Sequence, residues 1–222
     1  MRIRRKKWAG EQLKKSDIYI PHPIEYFDCN KQMFEQGFEL DLELGCGKGI
    51  FIAEYALLHK DRFFIAIDIK SDILAVACRN IYKRFQLQSD RPDNILLIPY
   101  DATHIEDLIP ANTISEIFIN FPNPWYKTKH QKRRLTHPRQ LRQYYDMLKD
   151  DGLLHIKTDD IALYLDTLEY LSESNYTVLY STDNYSGIAD TETLHPMSEH
   201  EMSFRNSSLS ICYIRATKNE RH

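Results

Sequence analysis

Apolar positions along the chain recur with two different periods. Leu40, Leu42 and Leu44 are interleaved with Asp41 and Glu43 and run into a glycine-rich turn, the period of a strand with one buried face. Ile50 to Leu58 then reads as a helix, and Phe63 to Ile67 form a short continuous apolar run closed by Asp68. Ser71 is placed to cap a second helix, in which Ile73, Val76, Ala77, Asn80 and Ile81 keep helical spacing with Asn80 alone off type. Ile95 to Ile98 and Ile114 to Phe121 read as the third and fourth strands. Pro138 at its start and Gly152 beyond its end bracket a basic amphipathic helix, followed by the strand Leu153 to Lys157 and a helix from Ile161 to Leu171. Strands Tyr176 to Thr182 and Leu209 to Ala216 close the series, with no strong helix signal between them. Repeated strand and helix units predict an α/β fold with a doubly wound parallel sheet, and the last two strands predict an antiparallel hairpin at one edge. Ligands in such folds bind beyond the carboxyl ends of the strands.

Composition narrows the picture. A chain of 222 residues, 42% hydrophobic, suffices for one well-buried core and falls short of two ordinary domains. The expected division is a basic amino-terminal arm and lead-in over 1–36 and one α/β domain over 37–222. Cys29, Cys46, Cys78 and Cys212 are scattered without a CxxC pair or His at ligand spacing, so neither a metal site nor a disulfide framework is expected. No apolar run reaches membrane-spanning length, and no apolar segment follows the basic start, so a cytoplasmic protein is expected.

Charge is segregated. Arg2, Arg4, Arg5, Lys6 and Lys7 form one cluster, and Lys127, Lys129, Lys132, Arg133, Arg134, Arg139 and Arg142 another, with no acid inside either stretch. Without these twelve cations, 17 basic residues face 32 acidic ones. Such polarity points to a polyanion met on one face and repelled from the others.

Glu43-Leu44-Gly45-Cys46-Gly47-Lys48-Gly49 marks the passage from first strand to first helix. Glycines there allow a tight turn and close approach of a ligand, and the helix amino terminus offers free N–H groups. The spacing is GxGxG rather than the GxGxxG of dinucleotide sites. Asp68, ending the second strand, is placed to accept hydrogen bonds from two ribose hydroxyls, and Asp101, after the third, to reach an adenine amine. Together these elements resemble the class I S-adenosylmethionine methyltransferases, a resemblance that implies a seven-stranded Rossmann-like methyltransferase sheet with an antiparallel last strand.

Asn120-Phe121-Pro122-Asn123-Pro124-Trp125-Tyr126-Lys127 follows the fourth strand and leads into the second basic cluster. Between two prolines Asn123 is expected to point rigidly into the cleft, with no neighbouring N–H competing for it. Trp125 or Tyr126 offers a face for a base to stack on. The stretch is similar to the F-P-D-P-W-x-K signature of the bacterial tRNA (guanine-N7)-methyltransferase family, with Asn123 at the usual Asp. The likeness continues through Arg133-Arg134-Leu135 and Lys157-Thr158-Asp159 to Ser198-Glu199-His200-Glu201, where Ser198 stands at the usual Thr.

That resemblance implies transfer of a methyl group from S-adenosylmethionine to N7 of a guanine in tRNA, in the variable loop. It assigns Glu43, Gly45, Gly47, Gly49, Asp68, Asp101 and Asn123 to the cofactor. Lys127, Asp159, Ser198, Glu199, His200 and Glu201 fall to the guanosine, with Asn123 and Asp159 catalytic. Lys129, Lys132, Arg133 and Arg134 are expected on RNA phosphates. Asn123-Pro124-Trp125-Tyr126 also resembles the NPPY tetrapeptide of amino-group methylases, and a silent tRNA-binding protein of the same fold is a further alternative. Oligomeric state stays open between monomer and homodimer.

Overall fold

The computed structural model describes residues 8–34, 37, 39–185, 196, 199, 201 and 210–219. Its strands are β1 (Glu39–Leu44), β2 (Arg62–Asp68), β3 (Ile95–Pro99), β4 (Ile114–Asn120), β5 (Leu148–Thr158), β6 (Tyr176–Thr182) and β7 (Cys212–Lys218). The longer helices are α3 (Ile50–Leu58), α4 (Ser71–Gln86), α5 (Pro138–Met147) and α6 (Ile161–Glu173), preceded by the short α1 (Ala9–Lys14) and α2 (Pro23–Cys29). One seven-stranded sheet has the order β3-β2-β1-β4-β5-β7-β6. The first five strands are parallel, and β7 runs antiparallel to both β5 and β6. The expected antiparallel pair therefore stands at one edge of the sheet, with the last strand inside and β6 outermost.

Alternation sorts the strands onto two faces. Leu40, Leu42, Leu44, Ile117, Ile119, Leu154 and Ile156 pack with residues of α5 and α6, while Phe64, Ala66, Leu97 and Phe118 pack against α3 and α4. That second face also carries a buried row of charge, in which Arg62 donates to Asp41 at 2.6 Å and pairs with Glu116 at 3.0 Å, and His155 meets Glu116 at 3.1 Å and Tyr213 at 2.9 Å. Burial pushes the His155 imidazole below its ordinary value.

Two helix boundaries differ from expectation. Ser71 is the first residue of α4 rather than its cap, because Asp68 Oδ1 accepts from the Lys70 N–H and turns the chain one residue earlier. α5 begins at Pro138 as expected but ends at Met147, and the chain passes directly into β5 through Gly152. A Cβ at Gly152 would lie 2.9 Å from both Leu148 Cδ2 and the Lys149 carbonyl, so this glycine serves a tight irregularity in the strand and not a helix stop.

Candidate active site

Strand order reverses between β1 and β4, and a cavity of about 460 Å³ opens there at the carboxyl ends of the strands. Glu43, Gly45, Gly47, Asn120, Phe121 and Glu199 contribute to its walls. The turn after β1 is closed by the Gly45 and Cys46 N–H groups, which donate to the Ile67 carbonyl at 2.8 and 2.9 Å. Gly45, Gly47 and Gly49 have φ of 77°, 53° and 68°, the left-handed region in which a side chain is strained. Gly49 also abuts α4: an added Cβ would stand 2.9 Å from Ala77 Cβ. Asn80, the off-type residue in the apolar stripe of α4, donates to the Lys48 carbonyl at 2.9 Å and so holds the turn from outside.

Glu43 is buried, and its Oε1 accepts from Asn120 Nδ2 at 3.2 Å. Its Oε2 has no hydrogen-bond partner among the described residues. Burial pushes this carboxyl up to about 8, against the pull of the Asn120 hydrogen bond and with a smaller push from Asp68. Asp68 Oδ2 accepts from the Gly47 N–H at 3.3 Å, tying the end of β2 to the turn. Asp101 is exposed one strand further on, and its Oδ1 accepts from the backbone and hydroxyl of Thr103 at 2.9 and 2.8 Å. Asp68 and Pro99 pair across the sheet, so both acids stand at the same edge.

On the other side of the switch point Asn120 pairs with Lys157, and the Phe121 N–H donates to the Lys157 carbonyl at 2.8 Å. The 123 loop and Asp159 therefore leave the sheet from adjacent positions. Asn123 differs from expectation. It is exposed, Asn120 and Phe121 take its place in the cavity wall, and its Oδ1 accepts from the Trp125 N–H at 3.0 Å. The reason is local: Pro124 lacks an N–H, but the next residue offers one at the reach of an Asx turn. Phe121 and Trp125 have φ of 52° and 45°, a strained pair bracketing the loop.

Of the basic run, Lys127, Lys129, Lys132 and Arg133 are exposed, the Arg133 guanidinium lying 5.3 Å over the Trp125 ring. Arg134 corrects the expectation of a phosphate contact. Its side chain is 5% exposed, Nε donates to the Pro124 carbonyl at 2.7 Å, and one terminal nitrogen donates to Asp166 at 2.5 Å and to the Tyr170 hydroxyl at 3.4 Å. Nε and this terminal nitrogen fix the loop to α6.

The late motif reaches the site through its described residues. Glu199 pairs with Lys48 of the glycine turn at 2.8 Å, and buried Glu201 pairs with buried Lys157 at 2.8 Å. Glu201 thus meets a lysine of the protein, at the end of β5. Ser198, His200 and the Arg2 to Lys7 cluster lie outside the described residues. Sequence reasoning assigned no role to Lys157, Lys48 or Asn120. The one available signal was a lysine closing the strand Leu153 to Lys157 before Thr158. Among the described residues no group of His, Cys, Asp and Glu could hold a metal ion, and no helix is long and apolar enough to cross a membrane.

Residues 39–213 match the model of a family described as "Putative methyltransferase". A tRNA (guanine-N(7)-)-methyltransferase of Clostridium perfringens strain SM101 is 39% identical over 98% of this chain and 100% of its own, and one of Acetivibrio thermocellus is 36% identical over 98% and 100%. The chain belongs to the bacterial tRNA (guanine-N7)-methyltransferase family. Solved structures like this family member include the 16S rRNA methyltransferase KamB, at TM-score 0.60 and 13% identity over 87% of this chain and 94% of that one. The antibiotic-resistance methyltransferase Kmr follows at 0.59 and 15%, over 87% and 93%. Identity that low speaks for the Rossmann-like methyltransferase fold alone, with the antiparallel last strand that the sequence reading expected.

Proposed function

We propose that this chain transfers a methyl group from S-adenosylmethionine to N7 of a guanine in the variable loop of tRNA, with the cofactor held in the cavity between β1 and β4. The observation that carries the reading is the donor set of that cavity: a glycine turn in left-handed geometry, Asp68 beside it, and a buried Glu43 oxygen lacking a partner among the described residues. The residues fit the group. Gly45 and Gly47 admit close approach, Asp68 is placed for ribose hydroxyls and Asp101 for an adenine amine, and Glu43 suits a cationic portion. When bound, S-adenosylmethionine supplies an electrophilic methyl group.

Guanine N7 carries a lone pair and no proton, so the protein needs no base at the nucleophile. Its task is to hold the base in line, a proximity effect worth roughly 7 to 11 kcal/mol when well oriented. Asn123 and Asp159, leaving the sheet side by side, are acceptors for N1–H and the exocyclic amine, and their negative ends stabilise the purine cation that forms. Glu201 is held at the end of β5 by Lys157. Lys127, Lys129, Lys132 and Arg133 offer an exposed row of cations for the phosphate backbone.

The test is nucleoside mass spectrometry of tRNA incubated with protein and S-adenosylmethionine, followed by ribonuclease mapping of the modified fragment. New 7-methylguanosine in the variable loop is expected. Methylation on an adenine or guanine amino group would favour the amino-methylase reading, and tRNA binding without any methylation would favour the silent binder.

A further inference from the structure

Tyr126 is 76% exposed, more than any other large apolar residue among those described. Leaving a ring of that size in water forfeits the burial energy that aromatic residues normally gain. Yet its position is fixed from several sides. Arg134 grips the Pro124 carbonyl, Asn123 Oδ1 accepts from the Trp125 N–H, and the nearby carboxylates of Asp160 and Asp159 push the Tyr126 phenol above its ordinary value. Asp160 is itself fixed, its Oδ1 accepting from the Leu163 N–H at 2.6 Å as the cap of α6. The ring therefore spans from the loop after β4 to the end of β5, the two places from which Asn123 and Asp159 project. Trp125 is differently engaged: its ring lies 5.7 Å from that of His130 and beneath Arg133, so it organises the basic run.

We propose that Tyr126 is the face on which the acceptor guanine stacks, and that this stack holds the N7-methylated, cationic base more strongly than the neutral one. The inference rests on the functional reading above. A phenol face attracts cations through its quadrupole, and the carboxylates of Asp160 and Asp159 near it favour positive charge at the same place. Charge appears on the purine as the methyl group arrives, so the same preference stabilises the transition state. Stacking is tolerant of base identity, which leaves recognition of guanine to the acceptors around it.

The experiment uses the full chain and one tRNA transcript, unmodified and after complete methylation by the wild-type protein. Single-turnover rates and dissociation constants for both transcripts are measured for wild type, Tyr126→Ala and Tyr126→Phe, with cofactor affinity by calorimetry as a control. Wild type should bind the methylated transcript about two- to fivefold more tightly than the unmodified one. Tyr126→Ala should bring that ratio near one and lower the rate about five- to a hundredfold, with cofactor affinity kept, whereas Tyr126→Phe, retaining the ring, should recover most of both. A slower Tyr126→Ala with the wild-type ratio would reduce the residue to packing and overturn the proposal. Active wild type with Tyr126→Ala unaffected overturns it while leaving the function intact. Wild type that methylates no tRNA removes both together.

Discussion

Arg134→Ala separates an anchor from a phosphate contact within a single run of cations. The native guanidinium makes a charge-assisted bond to the Pro124 carbonyl, which is worth about 1.5 to 3 kcal/mol. Its ion pair with Asp166 adds little, because the aspartate side chain is 37% exposed and solvent screens it, so less than about 1 kcal/mol is counted. A loss of roughly 2 to 4 kcal/mol should then lower the melting temperature by about 4 to 16 °C in a chain of this size. Arg134→Lys should recover little, since an ammonium cannot serve the carbonyl and the carboxylate in the same fork. The second measurement is the slope of log K for tRNA against log salt. Each phosphate contact contributes about 0.7 to 0.9 to that slope, so removal of exposed Lys132 or Arg133 should flatten it by nearly one while Arg134→Ala leaves it unchanged. Single-turnover methylation by Arg134→Ala should fall, because the 123 loop loses its tether. An unchanged melting temperature together with a flattened slope would refute the burial argument and restore Arg134 to the RNA surface.

Gly49→Ala would force a Cβ to 2.9 Å from Ala77 Cβ at a φ of 68°, and about 2 to 4 kcal/mol of destabilisation is expected by chemical denaturation; a loss under 0.5 kcal/mol would show that α4 gives way freely. Glu43, held near 8 by burial, binds its proton more tightly folded than unfolded, so the free protein should lose stability as pH rises from about 4 toward 8, and Glu43→Gln should remove that dependence. By the same reasoning a cationic ligand beside Glu43 should expel up to about one proton at pH 7, read by calorimetry in buffers of different ionisation enthalpy; equal proton release by wild type and Glu43→Gln would count against it. Asn123→Asp should keep turnover or raise it up to about tenfold, since a carboxylate strengthens the same acceptor bonds, while Asn123→Ala should lower it; inactive wild type with an active Asp variant would show that the amide is a defect.

The elements were legible where an apolar run is bounded by turn or polar residues. Ile50 to Leu58 and Tyr176 to Thr182 coincide with α3 and β6 because their patterns end at polar breaks. Gly152 misled because glycine marks both helix ends and strand irregularities, and only the packing of Leu148 and Lys149 distinguishes them. Which of β6 and β7 lies outermost has no local signature, since alternation says which face is buried and not which neighbour is paired. In the site, the glycine turn and Asp68 were readable from their spacing, as chain geometry puts them at one edge. Arg134 was not, because adjacent cations look alike in a sequence while a turn sends one inward. Glu201 and Lys157 are 44 residues apart, and their pairing is a product of tertiary structure.

The inward place of β7 has a consequence during synthesis. Until residues 212–218 have cleared the ribosome, β5 has no neighbour on its outer side and β6 has no partner at all. Both would then expose ladders of unpaired peptide groups, the surfaces on which nascent chains associate wrongly. The five parallel strands can be assembled beforehand, but the sheet closes only when its last strand slides between two that are already made. A chain stalled after Thr182 should therefore be captured by chaperones and cut readily by protease, and should become resistant within the time needed to add and release β7. Resistance already present in the stalled chain would show that β6 finds shelter without it.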